Sequence, residues 1–152
     1  MQRTLVLLKP DCVQRRLMGA IIKRFEDKGL NIVAMKMMRV TPELSQQHYA
    51  EHVERHFYSS LEEFITSAPV VAMAIEGLEV ITVVRDMLGA TSGLKAASGT
   101  IRGDFSSSKQ MNLVHASDSE ASATRELDLY FREEELCGYD PVATAFVRAC
   151  DE

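Results

Sequence analysis

No stretch of the sequence is apolar for long enough to cross a membrane, and the short run in MQRTLVLLKPD is also too brief for a signal peptide. No membrane partner is therefore expected. Cysteine is scarce: Cys12, Cys137 and Cys150 are odd in number, far apart and without a C-x-x-C pair. That pattern argues against a disulfide framework or a structural zinc site, and predicts reduced thiols in a cytoplasmic protein. Positive charge is in deficit, with a formal net charge of −5, so no specific nucleic-acid partner is expected. No GxGxxG occurs, and GLKAASGT (Gly93–Thr100) lacks both the spacing and the glycine-lysine pair of a P-loop. Repeats, low-complexity segments and long polar linkers are absent as well. With 152 residues and a hydrophobic fraction of 46%, the chain predicts one domain, spanning 1–152, with a substantial core.

What is present reads as alternating strands and helices. Arg3–Lys9 (RTLVLLK) reads as a buried strand. Val13, Leu17, Ile21, Ile22 and Phe25 follow helical spacing, which predicts one helix from Val13 to Lys28, with Asp11 and Gln14 as a capping pair and Gly29 as the stop. Asn31–Val40 reads as a second strand. Thr41-Pro42-Glu43 supplies an N-cap and an N1 proline for a helix to about His52. A short helix over Ser60–Ser67, a strand over Val70–Glu76, a helix between Gly77 and Gly89, a loop over Ala90–Ser98 and a strand over Met111–His115 follow. A last helix buries Ala123, Leu127, Tyr130 and Phe131. This order predicts an α+β fold: a ferredoxin-like split βαβ, with a four-stranded antiparallel sheet covered on one face by helices. A doubly wound parallel sheet is the alternative.

Chemistry concentrates in NLVHASDSEASATREL (Asn112–Leu127), where a histidine ends a strand just before a helix. Ser117 followed by Glu120 fits a capping box there, and the free N–H groups of a helix start favour an anion. Glu126 lies on the same helix, and helical side chains lean toward the N-terminus, so its carboxylate can reach back to His115. A carboxylate against an imidazole fixes its tautomer and supports the charge it gains as a nucleophile. Spacing alone also fits a satisfied core histidine with Glu126 facing solvent. Lys9 at a second strand-to-helix junction, Arg85 near a helix end and Arg102 between two glycines could together surround a polyphosphate. His48, His52 and His56, at i, i+4 and i+8, form a weaker metal-ligand candidate.

Taken in order, LLKPDCVQRRLMGAIIKRF, APVVAMAIEG, RDMLGAT, GTIRGDF and NLVHASDS, with S-A-x-x-E following the histidine, resemble the nucleoside diphosphate kinase family over nearly the full length. The resemblance implies a phosphotransferase that passes the γ-phosphate of a nucleoside triphosphate to a nucleoside diphosphate by a ping-pong route through phosphohistidine at His115. It implies that Glu126 and Ser117 orient His115, and that Lys9, Tyr49, Arg85, Thr91, Arg102 and Asn112 hold phosphates or sugar hydroxyls. Phe57 would stack on the base with Leu61 beside it, giving broad base specificity. Mg²⁺ would arrive with the nucleotide, with Asp118 touching its water shell. The resemblance also implies a homo-oligomer, a tetramer or hexamer built from dimers. Three departures stand out. Ala116 occupies a position where the family commonly has glycine, which predicts strain if that residue needs a positive φ. Gly93 and Ser98 replace prolines of the long loop, and Lys109 replaces an apolar residue near the base.

Overall fold

The computed structural model describes residues 1–149, 151 and 152. Strands β1 (Gln2–Leu8), β2 (Asn31–Met38), β3 (Val70–Gly77) and β4 (Val114–Ala116) form one antiparallel sheet in the order β2-β3-β1-β4. This is the α+β arrangement that the sequence predicts. The helices are α1 (Pro10–Gln14), α2 (Met18–Asp27), α3 (Pro42–His48), α4 (Tyr58–Thr66), α5 (Val80–Leu88), α6 (Ile101–Phe105) and α7 (Glu120–Tyr130).

One expectation is overturned: both faces of the sheet are covered. Side chains alternate along a strand, so the uninterrupted apolar run of β1 supplies two cores. Val6 and Leu8 pack with Phe25 of α2 and Val84 of α5 on one side. Leu5 and Leu7 pack with Ile65 of α4 and Tyr130 of α7 on the other.

The long helix predicted over Val13–Lys28 is in fact two. Leu17 N–H bonds the Cys12 carbonyl at 3.0 Å and Arg16 N–H bonds the Val13 carbonyl at 3.0 Å, with Arg16 at φ 58°. This is a Schellman ending with arginine in the left-handed position. Gly29 closes α2 in the same way, at φ 83°. The glycine announces its ending in the sequence; the arginine does not. The expected Asp11–Gln14 cap is also absent. Lys9 is the N-cap residue, and Asp11 Oδ2 instead accepts the Leu113 N–H at 3.0 Å. Thr41 caps α3 as predicted, its hydroxyl accepting from Leu44 N–H, but the helix ends at His48. The stretch Gly99–Phe105 contains α6, capped by Thr100, where no helix was predicted.

Two of these elements position the functional junction. β4 pairs with β1 through Val6–Ala116, Leu7–His115 and Leu8–Val114. Val114 and Ala116 enter the first core, so His115 projects from the opposite side of the strand. Ala116 does not have a positive φ and sits buried in the core, so the strain considered for it does not arise. The unusual residue is Leu113, at φ 73°, where Val114 N–H bonds the Asn112 carbonyl at 2.9 Å. That is a γ-turn of the rare, strained hand.

Arg16 is exposed, and its left-handed backbone carries a steric cost that no side-chain hydrogen bond or ion pair among the described residues offsets. Arg16→Gly should stabilise the fold by about 0.5–1 kcal/mol, offset in part by a more flexible unfolded chain. The urea midpoint should rise; an unchanged or lower midpoint would show that Arg16 carries no conformational penalty.

Candidate active site

A cleft of about 940 Å³ opens beside β4 and gathers side chains from segments far apart in the sequence. His115 and Asp118 come from β4 and the turn after it, and Glu126 from α7. Lys9 stands at the end of β1; Tyr49 follows α3; Phe57 and Leu61 flank the start of α4. Arg85 projects from α5, Thr91 from the loop after it, Arg102 from α6, and Asn112 from the γ-turn segment. Ser117 does not line the cleft. It lies completely buried behind it.

The central contact is between His115 Nε2 and Glu126 Oε2, at 2.9 Å. The Ser117 hydroxyl donates to the same carboxylate oxygen at 2.8 Å. Glu126 is only 5% exposed, because Ala123, Glu126 and Tyr130 form the inward stripe of α7. A buried carboxylate without donors is costly, so these two contacts hold one another in place. With Oε2 as acceptor the imidazole keeps its proton on Nε2, leaving the Nδ1 lone pair free. The ring is 23% exposed, enough for a ligand to reach it.

The expected capping box fails here for a definite reason. Ser117 N–H still bonds the Leu5 carbonyl at 3.2 Å, so the chain remains extended there. Ser119 is the N-cap instead, its hydroxyl accepting from Ser122 N–H at 3.1 Å. Ser117 is thereby free to serve Glu126. The Ser122 hydroxyl next to Asp118 holds that carboxyl below its ordinary range.

The cations are held rigidly. Lys9 Nζ donates to the Gln110 carbonyl at 2.8 Å and to Asn112 Oδ1 at 2.7 Å, and Asn112 Nδ2 donates to the Thr91 carbonyl at 2.8 Å. Arg102 donates to the carbonyls of Asn112, Gly89 and Val114 at 3.2, 3.2 and 2.5 Å. Burial pushes Lys9 down to about 8, opposed by the Asp11 carboxylate and reinforced by Arg102. Burial, then Arg85, pushes Arg102 down to about 10. Both remain charged at neutral pH, and an anion entering the cleft would relieve their mutual repulsion.

His48, His52 and His56 do not converge on a metal. α3 ends at His48, His52 closes a 3-10 turn and His56 lies in the following loop. His48 instead packs edge-on against His115, ring centroids 4.5 Å apart, and burial pushes it down to about 2. This neighbour was missed by sequence reasoning. Its signal was available: Ser45 and His48, three apart, form the buried side of α3. Gln110 was missed too, and no spacing marks it. Gly93 lies where an added Cβ would meet the Ser106 carbonyl oxygen at 2.3 Å, and Lys109 also lines the cleft.

A family model described as Nucleoside diphosphate kinase matches residues 2–136. The chain is 76% identical, over 152 residues and 100% of both chains, to the nucleoside diphosphate kinase of Rhodopirellula baltica. The chain belongs to the nucleoside diphosphate kinase family. It is 52% identical to the enzyme of Methanobrevibacter smithii over 141 residues, covering 93% of this chain and 94% of that one. Among solved structures, the halophilic nucleoside diphosphate kinase from Halobacterium salinarum in complex with CDP superposes with a TM-score of 0.95 at 46% identity. That match covers 97% of this chain and 98% of that one. The expectation of an enzyme, a nucleoside-diphosphate kinase and hence a phosphotransferase, is borne out.

The depressed Lys9 value is open to direct test. A ¹³C-lysine NMR titration should show one side-chain resonance, absent from Lys9→Arg, moving near pH 8. Surface lysines should move near their ordinary value of about 10.4. Because only the ammonium attracts anions, anion affinity should fall as pH rises through 8. If no lysine titrates below pH 9.5, the electrostatic account of Lys9 is wrong.

Proposed function

We propose that this nucleoside diphosphate kinase works by ping-pong transfer through His115. The observation that carries the reading is the bond between His115 Nε2 and Glu126, which leaves Nδ1 as the only ring nitrogen able to attack. In the first half-reaction the Nδ1 lone pair attacks the γ-phosphorus of a nucleoside triphosphate. A P–N bond forms, the bond to the β-phosphate oxygen breaks, and the diphosphate leaves with the electron pair. Glu126 keeps the Nε2 proton and stabilises the positive ring; Ser117 keeps the carboxylate aimed. In the second half a terminal oxygen of another diphosphate attacks the phosphorus and the P–N bond breaks. One cleft serves both halves, since donor and acceptor differ only by the phosphoryl group being moved.

Lys9, Arg85 and Arg102 would neutralise the phosphates, while Tyr49, Thr91 and Asn112 would hold phosphate or ribose oxygens. Positioning and charge neutralisation carry most of phosphoryl-transfer catalysis, which suits this set. Phe57, 43% exposed at the cleft, would stack on the base with Leu61 beside it, and stacking tolerates any base. The fit with Mg²⁺ is one carried by the nucleotide: the cleft is rich in cations and offers Asp118 as a carboxylate for a metal-bound water. Mg²⁺ would supply further neutralisation of the phosphate oxygens. We further propose that the chain acts as one kinase domain over 1–152, in the cytoplasm, where its nucleotide substrates are found.

Brief mixing with ATP and Mg²⁺ at mildly alkaline pH should add one phosphoryl group by intact mass, and GDP should remove it with formation of GTP. His115→Ala should abolish the adduct, and Glu126→Gln should lower its rate of formation about 10²-fold or more. An adduct of normal yield on His115→Ala would overturn the mechanism.

Met35, Met37, Val142 and Phe146 are exposed apolar side chains that fit burial between copies, supporting a homo-oligomer built from dimers. Light scattering should therefore give four or six times the chain mass of 17.0 kDa. A monomer at micromolar concentration would refute the assembly.

A further inference from the structure

His48 is an anomaly that the phosphotransfer reading does not use. The residue is 4% exposed, and among the described residues neither Nδ1 nor Nε2 has a hydrogen-bond partner. Buried polar atoms are rarely left this way. The ring is not free to drift: Tyr49, His115 and Tyr130 pack around it edge-on, at centroid distances of 4.4, 4.5 and 5.5 Å. Its unused lone pair lies beside two further potential ligands. One ligand atom from each of His48, His115 and Glu126 falls within 4.8 Å of the other two.

We propose that His48, His115 and Glu126 form a latent site for a borderline divalent transition ion, Zn²⁺ by its chemistry, that silences the enzyme when filled in the absence of nucleotide. Two imidazoles and one carboxylate match the three-ligand sets that hold zinc with a fourth position open. They do not suit Mg²⁺ or Ca²⁺, which take oxygen ligands. Tetrahedral coordination at about 2.0–2.1 Å to nitrogen puts ligand atoms roughly 3.3 Å apart, so closure requires side-chain movements of about 1.5 Å at most. Water, or a phosphate oxygen, would complete the sphere. The site is separate from the Mg²⁺ expected on the nucleotide, because it lies at the imidazole itself. A metal there needs the His115 nitrogen that ligates it unprotonated, so where that is Nε2 its proton moves to Nδ1 or leaves to solvent, and coordination withdraws both His115 and Glu126 from catalysis. The binding site rests on geometry alone; only the silencing rests on the reading of His115 as nucleophile.

The test uses the full-length protein without nucleotide, in buffer free of phosphate, with Co²⁺ alone as a visible probe and Zn²⁺ as competitor. One Co²⁺ per chain should bind with the intense absorption of four-coordinate cobalt, and Zn²⁺ should displace it. His48→Ala and Glu126→Gln should each weaken binding by more than about tenfold, whereas Cys137→Ser, which removes an exposed thiol, should leave it unchanged. His48→Phe keeps the ring packing and should lose the metal equally, which separates loss of a ligand from loss of fold. Wild-type affinity in both His48 variants, loss of the spectrum in Cys137→Ser, or no binding below millimolar Co²⁺ would each overturn the site. In a parallel assay, Zn²⁺ should suppress nucleotide exchange until a chelator restores it, and protein phosphorylated beforehand should resist. Metal bound at this site with exchange undiminished would overturn the silencing. Absence of any exchange in zinc-free protein supplied with Mg²⁺ and nucleotides would instead count against the ping-pong mechanism, leaving the cobalt spectrum to judge the site.

Discussion

The functional half of this molecule depends on one buried carboxylate. Glu126 sits on the inward stripe of α7, where an unpartnered charge would cost several kcal/mol. His115 from β4 and Ser117 from the following turn satisfy it together. The same contacts decide which imidazole nitrogen faces outward. Folding and chemistry therefore share a requirement: the arrangement that makes the carboxylate tolerable is the one that frees Nδ1.

The histidine is mounted on the shortest strand, at an edge of the sheet, directly after a strained γ-turn at Leu113. Conformations of this kind cost about 1–3 kcal/mol and persist only where surrounding contacts over-determine them. Here they do. The Leu113 N–H donates to Asp11, its carbonyl accepts the Lys9 N–H at 2.8 Å, and Arg102 bonds the carbonyls on either side of it. The first and sixth helices thus brace a turn that neither adjoins in sequence. Three residues of strand suffice because the turn leading into them is fixed from outside.

How much of this the sequence displays depends on how local the cause is. Apolar runs and the Thr41-Pro42 start are local signals, and the sheet and α3 follow from them. The break between α1 and α2 is not legible, because a left-handed arginine looks like any other arginine. Ser117 fits a capping pattern, and only its backbone bond to Leu5 shows why the helix waits two residues longer. The cations of the cleft stood out in sequence as isolated charges; their convergence needs the fold. His48 was visible as one of three evenly spaced histidines, a pattern that concealed its true neighbour on another element.

Arg102 illustrates how a single side chain can be structural and receptive at once. A guanidinium has five N–H donors. Three of them are committed to the carbonyls of Gly89, at the end of α5, and of Asn112 and Val114, which flank the γ-turn. Two remain, one on each terminal nitrogen, and the plane that carries them is already fixed. An incoming anion meets a receptor whose orientation is set by the backbone it stitches together, so binding demands little further ordering there. A lysine could keep the charge but has three donors in all, too few for both duties. At this position, charge is the smaller part of what the residue provides.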